Sequence, residues 1–177
     1  MRLKVLYLYC IEKLCKIIKK DPMQYKLRRY RLYGAKIGTG VRAFSPISSS
    51  ESYLITIGDD VTISFGVKFI THDNSAIKMY DDATDFVGEI IIGNNVFIGA
   101  QTILLPGVTI ADNCIIGAGA VVCKSVNTPG SIIAGNPAHI IGNIDQARAK
   151  YENNKFDFRG VDRKKTITSN KNRFICK

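Results

Sequence analysis

Apolar side chains recur at every sixth residue through the middle of this 177-residue chain: Ile92, Ile98, Leu104, Ile110, Ile116 and Val122. Small or turn-forming residues follow several of them, as in Gly93-Asn94, Gly99-Ala100, Leu105-Pro106-Gly107, Ala111-Asp112 and Gly117-Ala118-Gly119. An amphipathic helix repeats about every 3.6 residues and a half-buried strand about every 2. Neither yields a strict period of six. A chain that turns a corner every six residues does, and three such sides close one coil of a prism. Inward Ile, Val and Leu then stack on their counterparts one coil away. Backbone groups pair between coils about 4.8 Å apart. Corners take Gly, Asn or Asp, which tolerate left-handed backbone angles. Val61, Val67, Val96, Val108, Cys114, Ala120 and Val126 supply a second apolar or small set in the same register.

The frame begins at Ile37-Gly38-Thr39-Gly40-Val41 and drifts through Phe44-Ser45-Pro46-Ile47, where two or three residues do not fit. It resumes at Ile57-Gly58-Asp59-Asp60-Val61 and continues through Ile63 and Phe69. Residues 74–90 are polar, acidic and without the period, and read as a loop thrown out from one corner. Two clean coils span 91–127, and a partial last turn runs from Ser131 to Ala138. Before the repeat, residues 3–20 alternate apolar and basic positions as an amphipathic helix, with Asp21-Pro22 as its stop. A second short helix is expected over Gln24–Leu32. Open coil ends expose unpaired backbone, and the helix and the tail are natural covers for them. The tail from about 145 reads as a short helix and then a frayed end. The expected organisation is a helical N-terminal cap at 1–34, a β-helix at 35–142 carrying the loop, and a basic extension at 143–177.

The net charge of +10 changes this picture because it is uneven. Residues 1–36 carry net +9, residues 37–146 net −6, and residues 147–177 net +7. A basic total suits nucleic-acid binding, but the repeat body is acidic and no reading motif is present, so no nucleic-acid partner is expected. A basic amphipathic N-terminal helix suits the end of the prism, a partner subunit or an anionic membrane surface. No run of 18 apolar residues exists, so no transmembrane span is expected. The apolar start lacks a cleavage site and charge resumes at Glu12 and Lys13, which fits an uncleaved helix. The five cysteines, Cys10, Cys15, Cys114, Cys123 and Cys176, are odd in number and lack metal-ligand or framework spacing. They read as free thiols in a reducing compartment. Only two histidines, His72 and His139, offer a base that works near neutral pH.

The wording of the repeat is familiar. Ile92-Gly-Asn-Asn-Val-Phe-Ile-Gly-Ala, Leu105-Pro-Gly-Val-Thr-Ile, Ile116-Gly-Ala-Gly-Ala-Val and Ala134-Gly-Asn-Pro-Ala resemble the hexapeptide-repeat acyltransferases. The stretch is most similar to the O-acetyltransferases that modify galactosides, maltose, and capsular or lipopolysaccharide sugars. The resemblance covers roughly residues 35–142. It implies an all-β, left-handed parallel β-helix, an exception to the usual right-handed crossover. It also implies a homotrimer with active sites between subunits. The implied activity is transfer of an acetyl group from acetyl-coenzyme A to a sugar hydroxyl, in the cytoplasm or at the inner face of the membrane. N-acetylation of an amino sugar or another small acceptor, and a non-catalytic scaffold, stand as alternatives. Fold alone does not choose among them. A zinc carbonic anhydrase needs three histidine ligands per metal, and two distant histidines cannot supply them, so no metal is expected.

His72 sits in Phe69-Ile70-Thr71-His72-Asp73-Asn74, where the frame gives way to the loop. The resemblance implies that a histidine there is the general base. A sugar hydroxyl must lose its proton as it attacks a thioester, and an imidazole with a pKa near 6.5 can take it. The departing thiolate recovers that proton, and a backbone N–H steadies the negative tetrahedral intermediate. The acetyl group passes directly, without an acyl-enzyme. Asp73 and Asp21 are the candidate orienting carboxylates. By the resemblance, Gly99, Ala100, Gly117 and Ala118 border the pantetheine arm, Lys124 lies near the coenzyme phosphates, and His139 stands where a basic residue often follows Pro-Ala. Phe97 occupies a position at which relatives often carry tryptophan. Aromatic faces and carboxylates suit sugar rings and hydroxyls, so Asn74, Met79, Tyr80, Asp81, Asp82, Phe86 and Phe97 are the candidate acceptor contacts.

Overall fold

The computed structural model describes residues 2–18 and 21–175. The last two residues of the helix expected over 3–20, Lys19 and Lys20, and the cysteine Cys176 lie outside the described residues. The chain opens with α1 (Arg2–Ile17) and α2 (Met23–Leu32). Very short strands then wind into coils. The first coil holds β1 (Lys36–Ile37) and β2 (Arg42–Ala43). The second holds β3 (Ile55–Ile57), β4 (Thr62–Ile63) and β5 (Lys68–Phe69). An excursion follows, made of β6 (His72–Asp73) and β7 (Phe86–Val87). The third coil holds β8 (Ile90–Ile92), β9 (Phe97–Ile98) and β10 (Ile103–Leu104). The fourth holds β11 (Thr109–Ile110), β12 (Ile115–Ile116) and β13 (Val121–Val122). The last coil is partial: β14 (Ser131–Gly135) doubles back as β15 (Ala138–Asn143), ahead of α3 (Ile144–Lys150) and α4 (Arg163–Ser169).

Three parallel faces result. The first runs β1-β3-β8-β11, the second β2-β4-β9-β12-β14, and the third β5-β10-β13, with β15 added antiparallel at the end of the second. Ile92 lies on Ile110, Ile98 on Ile116 and Leu104 on Val122, a step of 18 residues per coil. All six frame residues are buried in one continuous core. The second predicted set, from Val61 to Val126, is buried with them. Corners follow the expected chemistry. Asp60, Asn95 and Asn113 stack at one edge with positive φ, below Gly40. The Asn95 amide Nδ2 donates to Asn113 Oδ1 at 2.8 Å, so the ladder continues through the side chains.

Two segments depart from the frame. Ile37 lies on Ile57 and Ala43 on Ile63, a step of 20. Ile57 lies on Ile92 and Phe69 on Leu104, a step of 35. The first excess accounts for the residues near Phe44–Ile47 that do not fit. The second is the loop after His72, and it is not irregular: β6 and β7 pair antiparallel around a 3-10 helix at Asn74–Lys78.

The ends also differ from expectation. The first helix spans Arg2–Ile17, and it is α2 that packs on β1 and β2. α2 seats Leu27 and Tyr30 on the core, and Lys26 Nζ donates to the Ala43 carbonyl at 2.7 Å. α1 packs on the outside of α2 through a mostly buried ion pair, Glu12 Oε2 to Arg29 Nη2 at 2.8 Å. The far end closes by the β14–β15 reversal rather than by a further turn, because the chain after Gly135 turns back to pair with β14. The tail is not frayed over its described length. α4 follows α3, and Phe156 stacks on Phe158 with centroids 5.7 Å apart and touches Phe174.

Truncating an inward residue leaves a void that short hydrogen-bonded strands cannot collapse into. Ile98→Ala is expected to lower unfolding free energy by about 2–5 kcal/mol. Ile91→Ala, on the outward side of β8, should change it by no more than about 0.5 kcal/mol. Equilibrium denaturation of the two variants checks the difference.

Candidate active site

His72 begins β6, at the edge where the second coil is left. Opposite it stands Glu51, held on the first excess segment by the turn Ser49–Ser52. There the Ser52 hydroxyl donates to the Ser49 carbonyl at 3.0 Å. Glu51 Oε2 lies 2.8 Å from His72 Nδ1. An ionised carboxylate only accepts, so Nδ1 carries the proton and donates. This fixes the tautomer and leaves the Nε2 lone pair free. The buried Thr71 supports the carboxylate. Its Oγ1 is 2.7 Å from Glu51 Oε2 and 2.8 Å from Ser49 Oγ. With one hydrogen to give, Thr71 donates to Glu51 and accepts from Ser49. The chain Ser49 to Thr71 to Glu51, met by His72, ties both excess segments together.

The electrostatics follow. The hydrogen bond that His72 donates to Glu51, reinforced by the carboxylate charge and by Asp85 and Asp73, raises the His72 pKa above its ordinary value. The Thr71 hydroxyl first, and His72 second, hold the Glu51 carboxyl below its ordinary range. Ser50, Glu51, His72, Ala83, Thr84, Asp85 and Val87 line an open cleft of about 620 Å³.

The orienting carboxylate is therefore neither Asp73 nor Asp21. Asp73 accepts from the Ser75 amide at 2.9 Å and caps the 3-10 helix. Asp21 accepts from the Met23 amide at 2.9 Å at the start of α2. Glu51 was missed because it lies far from His72 in sequence. Its one signal is the excess of residues between Ala43 and Ile57, which must leave the prism somewhere.

The expected acceptor contacts do not line this cleft. Asn74 Nδ2 donates to the Thr84 carbonyl at 2.9 Å and ties the excursion to itself. Tyr80 meets Phe86 edge to face at 6.3 Å, and Met79, Asp81 and Asp82 are exposed beside them. Phe97 projects from the second face, between Thr62 and Ile115, away from the excursion. Thr84, Asp85 and Val87, on the return limb, line the cleft with His72.

The expected cofactor residues fall on two edges. Gly99 lies above Gly117 and Ala134, and Ala100 accepts from the Gly119 amide at 2.8 Å, all where the second face turns into the third. A Cβ on Gly99 would sit 2.5 Å from the Ala118 nitrogen, so only glycine lets these coils approach. Gly119, with φ +72°, has open space where a side chain would project and keeps the edge low. His139 pairs with Ala134 across the hairpin, at the end of this stack. Lys124 is elsewhere. It follows β13, on the edge where the third face ends, as His72 follows β5. The two lie two coils apart, roughly 10 Å along the axis.

Residues 89–124 match the family described as bacterial transferase hexapeptide (six repeats). Protein CapG of Staphylococcus aureus is 43% identical over 141 residues, covering 76% of this chain and 79% of that protein. The chain belongs to the hexapeptide-repeat acyltransferase superfamily. Galactoside O-acetyltransferase of Escherichia coli K12 is 34% identical over 125 residues, covering 69% of this chain and 61% of that enzyme. Among solved structures, a hexapeptide-repeat acetyltransferase of Vibrio cholerae complexed with acetyl-coenzyme A superposes with a TM-score of 0.50. It is 28% identical and covers 63% of this chain and 61% of its own.

Within this acyltransferase frame, the Glu51 contact sets the state of the imidazole. Below the ordinary histidine pKa the imidazolium–carboxylate pair is complete, and it loses its charge as pH rises through the raised value. Glu51→Gln removes the acceptor charge, so the His72 titration should move to lower pH. Thr71→Val, which unties Glu51, should move it less in the same direction. Proton–nitrogen NMR titration of the ring reads both, and an unchanged midpoint in Glu51→Gln contradicts the assignment.

Proposed function

We propose that this protein transfers the acetyl group of acetyl-coenzyme A to a hydroxyl of a sugar or a sugar-containing glycan, with His72 as general base. The observation that carries the reading is the Glu51-held imidazole at an open cleft, with Nδ1 committed and Nε2 available. Sequence identity to a galactoside O-acetyltransferase supports a sugar acceptor, and likeness to an acetyl-coenzyme A complex supports the donor.

The chain's own residues account for the chemistry. His72 Nε2 takes the proton of the acceptor hydroxyl as its oxygen bonds to the thioester carbonyl carbon. The thioester, when bound, supplies that electrophilic carbon. Glu51 stabilises the imidazolium that forms and keeps the ring from turning. The C–S bond breaks, and His72 returns the proton to the sulfur. Thr84 and Asp85 on the return limb offer an acceptor and donor set for sugar hydroxyls beside the reacting one. The low edge at Gly99, Ala100, Ala118 and Gly119 suits a thin pantetheine arm that must approach backbone closely. Lys124 suits the phosphates.

These groups occupy two different edges of one prism, so one chain does not enclose a thioester. A second copy that sets its Gly99–Gly119 edge against the His72–Lys124 edge completes the site. A closed ring of three such contacts is the reading this geometry supports, with one site per junction. The reading places the protein in the cytoplasm, where acetyl-coenzyme A is available. Among the described residues no helix is long and apolar enough to cross a membrane.

His72→Ala should leave the oligomer intact by light scattering and lower acetyl transfer by about 10²–10⁴-fold. Thiol release with a panel of sugars and amino sugars measures it. Turnover within a few-fold of the original chain would remove His72 as the base, and release with amino sugars alone would replace O-transfer by N-transfer.

A further inference from the structure

α1 is amphipathic twice. Its inner side is a stripe at four- and three-residue steps, Leu8, Glu12 and Cys15, all buried against the rest of the chain. Its outer side carries a second stripe at the same helical spacing, Leu3, Leu6, Cys10, Leu14 and Ile17, all exposed among the described residues. Leu3 is 82% and Ile17 76% exposed. A surface helix of a globular protein shows one apolar stripe, facing the core. The outer stripe is therefore not accounted for by folding.

The neighbours of this stripe are cationic. Arg2, Lys4 and Lys13 are exposed along α1, and Arg28 is exposed on α2 across the groove from Lys4 and Tyr7. The first 36 residues hold net +9 against net −6 in the repeat body. Position matters as much as charge. α2 closes the prism end and α1 lies on α2, so the stripe forms an outermost layer beyond the coils. The cleft at His72 opens on a side edge, not on this end.

We infer that α1 docks this protein on an anionic lipid bilayer, lying in the plane of the surface with Leu3, Leu6, Leu14 and Ile17 in the acyl boundary. A stripe of large apolar residues flanked by Lys and Arg is the pattern by which a helix lies on such a membrane. Each Lys or Arg near an anionic surface adds binding. A second copy of α1 is the poorer occupant, since it brings the same positive charge to the same face. The repeat body, which is acidic, stays in water and faces away from the negative surface. The inference is independent of the acetyltransferase reading, because it concerns the end of the prism and not the cleft.

The test is co-sedimentation of the full chain with vesicles of phosphatidylcholine alone, and of phosphatidylcholine with phosphatidylglycerol. Binding is expected only to the phosphatidylglycerol vesicles and should weaken as salt rises. Leu6→Asp with Leu14→Asp should abolish it. Arg2→Gln, Lys4→Gln and Lys13→Gln together keep the apolar stripe and should weaken it about 100-fold. Thiol release with a soluble acceptor should be unchanged in both variants, which also shows that they fold. Absence of binding to the phosphatidylglycerol vesicles, or equal binding by the Asp variant, overturns the proposal. So does a smaller particle by light scattering for the Asp variant, which would make the stripe an interface between copies.

Discussion

Strands of two or three residues cannot persist by themselves, and each short strand of the three faces is held by a parallel partner in at least one adjacent coil, the inner ones by partners on both sides. That mutual dependence fixes the register. If one coil slipped by a single residue, its inward Ile and Val would point to solvent and its corner Asn and Gly would fall on faces. Ile98 must lie on Ile116 and Ile63 on Ile98, and nothing extra fits between them. Any additional residue is expelled outward between strands. The candidate site of this molecule is a consequence of where the expulsions occur.

Two occur, in successive coils, and both lie on the way back to the first face. The first, between Ala43 and Ile57, projects Glu51. The second, between Phe69 and Ile90, projects His72 and the β6–β7 excursion. Because the coils are stacked, the two projections meet at one edge, and the Ser49, Thr71 and Glu51 contacts join them. A carboxylate and an imidazole distant in sequence are thus set 2.8 Å apart by the same ladder that holds the core. The buried Thr71 marks the join between scaffold and site, for its backbone belongs to the edge and its hydroxyl to the dyad. Its carbonyl accepts from the Gly88 amide at 2.9 Å, closing the base of the excursion.

This explains what was legible in the sequence. The fold was, because a period of six is a local property that recurs: each of the residues from Ile92 to Val122 announces its inward place without reference to distant ones. His72 was, because it stands at the first residue that breaks the frame. Glu51 was not, because pairing across coils depends on how many residues the first segment expels, and a drift of two or three is too coarse to align a side chain. The acceptor contacts failed for a different reason. Residue type alone points to the aromatic and acidic residues of the excursion, yet Asn74, Tyr80 and Phe86 fold the excursion on itself. The residues left facing His72 are the plainer Thr84, Asp85 and Val87. The outer stripe of α1 was visible as apolar residues, but only the buried Leu8, Glu12 and Cys15 show which stripe is already used.

The distribution of charge is consistent with a division of labour along the prism. Glu51, Asp73 and Asp85 surround His72, and each contributes to raising its pKa. Such a cluster of carboxylates opposes an anion and suits a neutral, hydroxyl-rich molecule. The same negative field would oppose the phosphates of a coenzyme, so these must be met elsewhere, and Lys124 lies two coils away on that edge. On the proposed reading, an elongated donor would set its thioester end toward the imidazole and its phosphate end toward the lysine. On that same reading, the acidic field that opposes phosphate also raises the His72 pKa, so both effects would come from the same three carboxylates.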